Sequence, residues 1–339
     1  MAYKAGTGLS PPALPAISAR ATHARYDSIS LANTKGHPVT SAPKRTPFAS
    51  LQKTIEVREV PHISDREDGL LCYQQENGVV RHIAAENCGL DVFPEDLLSL
   101  EHLEKLFIGR NNLTRCPEAL ERLRQLKELY IYGNRLKALP NSIGTLTELE
   151  ILDLSHQPLE SLPETIGQLR KLKILYASNS QISDLPESLW SLPALQYLNL
   201  TDNKLNHLPD AVKNLGALRE LRLYNNQLDS LPDDLCTLTP LRELYLQGNK
   251  LTTLPDAIGN LAQLEVLDLR NNAIAEIPDS LGDAHNLIHL DLRANNFTSL
   301  PNSLRDLPKL RKLDLRWTRL RNPPRWLDEL EEKGCAVYL

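Results

Sequence analysis

From Val80 onward, apolar and polar positions recur along the chain with a fixed period. One proline per unit marks it: Pro94, Pro117, Pro140, Pro163, Pro186, Pro209, Pro232, Pro255, Pro278, Pro301 and Pro324, each 23 residues after the last. Eleven units run from Val80 to Glu332 without insertion and leave seven residues behind them. One unit reads Leu241-x-x-Leu244-x-Leu246-x-x-Asn249-x-Leu251-x-x-Leu254-Pro255-x-x-Ile258-x-x-Leu261. The alternation Leu244-x-Leu246 has period two, so both leucines face one side of a strand and the residue between them faces the other. After the proline, Ile258 and Leu261 are spaced by three, which predicts a helical or 3-10 turn. Proline lacks an N–H and has a fixed φ, which suits the start of that turn and would be wrong inside a central strand. Each unit is then one coil, and eleven parallel strands stacked at about 4.8 Å make a sheet roughly 50 Å long.

Polar positions follow the same period. Asn111, Asn134, Asn203, Asn226, Asn249, Asn272 and Asn295 form a column at the bend after the strand, where a side-chain amide can satisfy backbone groups that would otherwise cost about 1–3 kcal/mol each. These asparagines are assigned to structure. The column departs from Asn at Cys88 and Thr318 in the terminal units and at Gln157 and Ser180 in the middle. With Pro158 removing a donor beside Gln157, the fourth and fifth units are expected to change curvature locally.

The unit resembles the 23-residue intracellular class of leucine-rich-repeat proteins over about three quarters of the chain. The resemblance implies an α/β leucine-rich-repeat solenoid, with a curved parallel β-sheet on the concave face and short helical or 3-10 turns on the convex face. Within that class the chain is similar to scaffolds of Ras-type signalling, to plant Ras-group-related proteins and to leucine-rich-repeat effectors that plant-pathogenic bacteria inject. Some of those effectors resemble ubiquitin ligases whose catalytic domain follows the repeats. Seven residues are too few for such a domain, so only a recognition role carries over.

The regions flanking the repeats differ in composition. Residues 51–79 are expected to form an N-terminal cap, with Ile55, Val57, Val60, Leu70, Leu71 and Tyr73 as its apolar residues. At the other end Pro323-Pro324 opens a helix that carries Trp326 over the last leucines, Gly334 ends it, and residues 333–339 supply a closing strand. Residues 1–50 hold six Lys and Arg against one acid, Asp27, and are rich in Ser, Thr, Ala and Pro. Such a stretch is expected to be disordered, and it fits a type III secretion signal, an organelle transit peptide or a plain tail.

Composition then narrows the function. The 339 residues carry 38 Lys and Arg against 43 Asp and Glu, a net charge of −5, which disfavours a general nucleic-acid binder. No apolar run is long enough to cross a bilayer, so no membrane partner is expected. The expected location is cytoplasmic, or a host cell if the leader is a secretion signal. The five cysteines stand far apart, and Cys335 reads as a small buried residue. No metal or cofactor site is expected. Nucleophile, metallohydrolase and phosphate-loop motifs are absent from the sequence, and the chain reads as a non-enzyme. The sequons at Asn112, Asn199 and Asn296 are attributed to chance in Asn- and Leu-rich text.

The candidate site is the concave face. Phe107, Tyr130, Tyr132, Tyr176, Tyr197, Arg222, Tyr224 and Tyr245 fall on it, with the tyrosines expected to face water. Aromatics and Arg are enriched among interface hot spots, so these residues are predicted to bind a protein partner. The last three repeats place Asp268, Asp291 and Asp314 in one row and Arg270, Arg293 and Arg316 in the next, a possible secondary charged surface or a self-neutralised ladder. The expectation is a monomeric, non-enzymatic interaction module. The alternative is a substrate-recognition subunit for a ubiquitin ligase or other enzyme on a separate chain.

Overall fold

The computed structural model of the chain describes Phe48, Leu51 and residues 55–339. Apart from Phe48, the leader assigned to residues 1–50 lies outside the described residues. Pro47–Leu339 form one unit. It is built on a single sheet of fourteen strands arranged in chain order. These are β1 (Val57–Glu59), β2 (Leu71–Glu76), β3 (Val79–Ala84), β4 (Lys105–Phe107), β5 (Glu128–Tyr130), β6 (Ile151–Asp153), β7 (Ile174–Tyr176), β8 (Tyr197–Asn199), β9 (Glu220–Arg222), β10 (Glu243–Tyr245), β11 (Val266–Asp268), β12 (His289–Asp291), β13 (Lys312–Asp314) and β14 (Ala336–Tyr338). β2 and β3 pair antiparallel, and the other neighbours pair parallel. From β3 to β13 the register joins residues 23 apart, as in Leu129↔Leu152 and Leu152↔Leu175.

The alternation of leucines places the core. Leu244 and Leu246 are fully buried on the inner side of the sheet, as are Leu251, Ile258 and Leu261 farther round the same coil. The chain turns back through a short 3-10 helix after each repeat proline from Pro94 to Pro301, and through an α-helix after Pro324. In the seventh coil, Asp233–Thr237 follows Pro232, whose carbonyl accepts from Leu235 N at 3.1 Å. One coil alone leaves its leucines wet, and stacking removes them from water at about 25 cal/mol per Å².

The asparagine column bridges the coils. Asn249 Nδ2 donates to Leu246 O of its own coil at 2.8 Å and to Leu223 O of the preceding coil at 3.0 Å, while its Oδ1 accepts from Leu228 N at 3.1 Å. Asn111, Asn134, Asn203, Asn226, Asn272 and Asn295 make the equivalent bridges to the coil before. The residue before the column is left-handed in every coil, at Asn87, Arg110, Gly133, His156, Asn179, Asp202, Asn225, Gly248, Asn271, Ala294 and Trp317. Asn, Asp, Gly and to a lesser degree His tolerate that conformation, whereas Arg110, Ala294 and Trp317 hold it without such relief.

The expected change of curvature at Gln157 and Ser180 is not seen. His156 and Asn179 keep φ of 58° and 51°, close to their counterparts, and the strand register runs through unshifted. What changes is the bonding. Gln157, one methylene longer than Asn, donates to Leu154 O at 2.8 Å inside its own coil and leaves its Oε1 buried without a partner. Ser180 reaches Ser178 O at 3.3 Å, also within its coil. The turn geometry is therefore held by backbone bonds such as His156 N to Ser178 O, 2.9 Å, and Ser180 N to Asp202 O, 3.1 Å.

At the N-terminal end, β2 and β3 form a hairpin through Asn77-Gly78, both with positive φ, and Phe48 is buried with its ring 5.3 Å from that of Tyr73. At the C-terminal end, the helix α1 (Trp326–Glu332) buries Trp326, Leu327 and Leu330. Trp326 Nε1 donates to Asn302 Oδ1 at 3.1 Å. Gly334, at φ 87°, ends the helix, with Cys335 N bonding Leu330 O at 2.9 Å, and the chain then pairs β14 with β13.

Candidate functional site

The outward side of the sheet carries three residues per coil: the two ends of each short strand and the residue two positions beyond. The middle row runs Ala84, Phe107, Tyr130, Asp153, Tyr176, Asn199, Arg222, Tyr245, Asp268, Asp291 and Asp314. All fourteen residues proposed from the sequence lie on this face.

The structure corrects one expectation about them. Phe107, Tyr130, Tyr132, Tyr176 and Tyr197 are buried, Tyr176 to 4% exposure, while Tyr224 and Tyr245 are half-buried. Strand alternation tells which way a side chain points, but its depth depends on rings one coil away. Phe107 and Tyr130 stack at 4.6 Å, and Tyr176 and Tyr197 meet at 4.9 Å with their planes tilted by 50°. Tyr132 lies flat on the backbone of the preceding coil, where a Cβ on Gly109 would come within 2.6 Å of its ring. Its hydroxyl donates to Glu86 Oε1 at 2.7 Å. Tyr130 and Tyr245 donate to Glu128 and Glu243, and burial with these carboxylates pushes both phenols up, so they stay protonated donors.

Arg222 sits among these rings, 5.6 Å from the Tyr197 centroid and 4.9 Å from that of Tyr245, with its Nε donating to Glu220 at 2.5 Å. Arg66, which sequence reasoning did not single out, caps the other end of the strip 4.3 Å over Phe107 and pairs with Glu86 at 2.7 Å. Its contribution was hidden because it precedes the first repeat and belongs to no periodic row.

In the last three coils the two charged rows close on each other. Arg293 clamps Asp291 through two nitrogens and reaches Asp314 at 3.3 Å, and Arg316 pairs with Asp314 at 2.7 Å. Arg270 stands 3.5 Å from Asp268 and also donates to Gln247 at 2.7 Å. Burial alone would raise the Asp314 carboxyl, but the Arg316 hydrogen bond and the two guanidinium charges outweigh it and hold the group low. Asp268 goes the other way: burial and the neighbouring Asp291 push it up to about 6 against the pull of Arg270. Beyond the ladder Trp317 stands 74% exposed, with Arg316 5.5 Å from its ring centroid.

Among the described residues no three His, Cys, Asp or Glu side chains gather to hold a metal, and no helix is long and apolar enough to cross a membrane. Cys236 and Cys335 are buried, and burial pushes both thiols up to about 11, which leaves little nucleophilic thiolate. His82, within β3, and His289, at the start of β12, have pKa values lowered by burial and by Lys105 and Lys312, respectively.

The sequence model of the leucine-rich repeat region matches residues 118–231 and 232–332, and the chain belongs to that family. No curated protein matches the chain in sequence. Among solved structures it is similar to a TDR receptor, at 26% identity over 73% of this chain and 44% of the receptor, with a TM-score of 0.67. It is also similar to internalin InlF of Listeria monocytogenes, at 21% identity over 76% of this chain and 86% of the internalin, TM-score 0.57. A third is the plant peptide hormone receptor RGFR1 in complex with RGF2, at 22% identity over 78% of this chain and 54% of the receptor, TM-score 0.54. This chain therefore spans under half of the TDR receptor and about half of RGFR1.

Proposed function

We propose that the chain is a non-catalytic protein-binding module whose concave face, from Phe107 to Tyr245, grips a partner protein. One observation carries this reading. The leucine side of the sheet already supplies the core, yet the opposite side bears seven aromatic rings in two groups, Phe107 to Tyr132 and Tyr176 to Tyr245, separated by Asp153 and with Arg222 among the second. Pre-packed rings lose little side-chain freedom on binding, so contact area is gained at small entropic cost. Tyr224 and Tyr245 are the accessible members. Replacing both by Ala should lower affinity for captured partners at least about tenfold, a loss of 1.4 kcal/mol or more, with the melting curve little changed. Undiminished capture by that variant would move the site elsewhere.

A further inference from the structure

Four carboxylates are buried among the described residues: Glu86, Asp153, Asp268 and Asp314. Three have an arginine of this chain in reach: Arg66 for Glu86, Arg270 for Asp268, and Arg293 with Arg316 for Asp314. Asp153, 6% exposed, forms no ion pair among the described residues. It stands in the middle row between Tyr130 and Tyr176, each one strand away in register.

The repeat supplies its own controls. In Leu-Asp-Leu-Arg coils the aspartate Oδ1 accepts the N–H two residues on, at 3.2 Å in Asp268 and Asp291, and the arginine at that position supplies the charge. Asp153 accepts the same N–H, from Ser155 at 3.0 Å, but the sequence there is Leu152-Asp153-Leu154-Ser155 and the cation is missing. Two coils on, Asn199 occupies the equivalent place and accepts from Thr201 N at the same 3.0 Å. A neutral amide thus meets every local demand of this position. The negative charge of Asp153 is surplus to the fold, and a buried unpaired charge is costly.

We propose that the partner's own lysine or arginine side chain supplies this missing cation, seating its charge on Asp153 between the Tyr130 and Tyr176 rings. The inference rests on the concave-face reading and names the chemistry the face selects. The chain shows the arrangement within itself, in Arg222 between Tyr197 and Tyr245 with Glu220 as counter-ion and in Arg316 over Trp317 and Tyr338 with Asp314 as counter-ion. Cation–aromatic attraction and a desolvated carboxylate both strengthen where water is excluded. Hydroxyls of Ser155 and Ser178, 3.1 Å apart, extend a polar floor beside the carboxylate.

The test is a displayed random-peptide selection on the full chain, repeated with Asp153→Asn and with Ser155→Arg, which installs the arginine of the later coils. Asp153→Asn is expected to fold because Asn199 already does so in the same setting. Peptides selected on the native chain should share a Lys or Arg whose change to norleucine or citrulline weakens binding at least about tenfold. Both variants should abolish that charge preference. Peptides that lose binding on the Tyr224→Ala, Tyr245→Ala chain but carry no required basic residue, or bind Asp153→Asn equally well, overturn the clamp and leave the concave-face reading standing. Peptides indifferent to all these variants, or a selection without binders, overturn both.

Discussion

Two stretches of one face, built on the same backbone, solve the exposure of a sheet in opposite ways. In coils two to eight, aromatic rings lean on one another across the 4.8 Å strand spacing and hold one guanidinium, Arg222, among them. In coils nine to eleven, charges close into pairs, and rings return only at the last rung, where Arg316 lies over the exposed Trp317 and over Tyr338. The pairing of Asp291 and Asp314 with Arg293 and Arg316 leaves little net charge to offer a ligand. The aromatic stretch instead combines large contact area with one unmatched carboxylate. The proposed recognition site falls where internal neutralisation is incomplete.

The comparison can be tested from its foundations outward. Leu198→Ala in the aromatic stretch and Leu290→Ala in the ionic one should each cost about 2–5 kcal/mol in denaturant unfolding, because both leave a cavity in the shared core. A large inequality between them would mean that the two stretches differ below the surface as well. Asp314→Asn should cost about 2–3 kcal/mol at neutral pH, because it removes charged hydrogen bonds to Arg316 and leaves Arg293 with Asp291 alone. Since the folded state holds this carboxyl below its usual range, its contribution is present above that range and fades as acid protonates it. Comparing the two chains across pH checks the sign.

Tyr176→Ala should cost about 2–4 kcal/mol, whereas Tyr224→Ala should cost under about 1, a contrast that thermal melts resolve. Asp153→Asn should do the reverse of Asp314→Asn and stabilise. Burial lifts the Asp153 carboxyl to about 6 despite hydrogen bonds from Ser155, so the folded chain resists its ionisation. Its protonated form is favourable below about pH 4, and that benefit drains away as pH rises through about 6. The amide should therefore gain about 2–3 kcal/mol at pH 8 and nothing near pH 4. Arg316→Gln belongs at the bottom, with a barely measurable loss in thermal melts that salt weakens further, because its guanidinium is solvated.

The period of 23, the leucine alternation and the proline-led turns were legible because each coil repeats the same local chemistry. The Asn column was legible too, since Asn249 and its counterparts do bridge coils. Ring depth was not, because the burial of Tyr176 is set by Tyr197 and its other neighbours 21 to 23 positions away. The Asn77-Gly78 hairpin carried a readable signal, a two-residue turn between apolar runs, that went unread against the stronger repeat. Asp153 was in plain view as Leu-Asp-Leu-Ser beside three copies of Leu-Asp-Leu-Arg. What sets it apart is three-dimensional, because the later arginines turn back onto their own aspartates and Asp153 has no such partner among the described residues.

The gap in amide bridging at Gln157 and Ser180 has a mechanical side. In coils two, three and six to ten a side-chain amide rivets each coil to the one before; here the backbone ladder and the leucines span the joint, helped by smaller side-chain contacts such as Ser178 Oγ to Ser155 Oγ at 3.1 Å and Lys173 to Glu150 at 2.7 Å. A chain drawn apart from its two ends in an optical trap should tear at this joint first, dividing the grip in two beneath Asp153 and Tyr176.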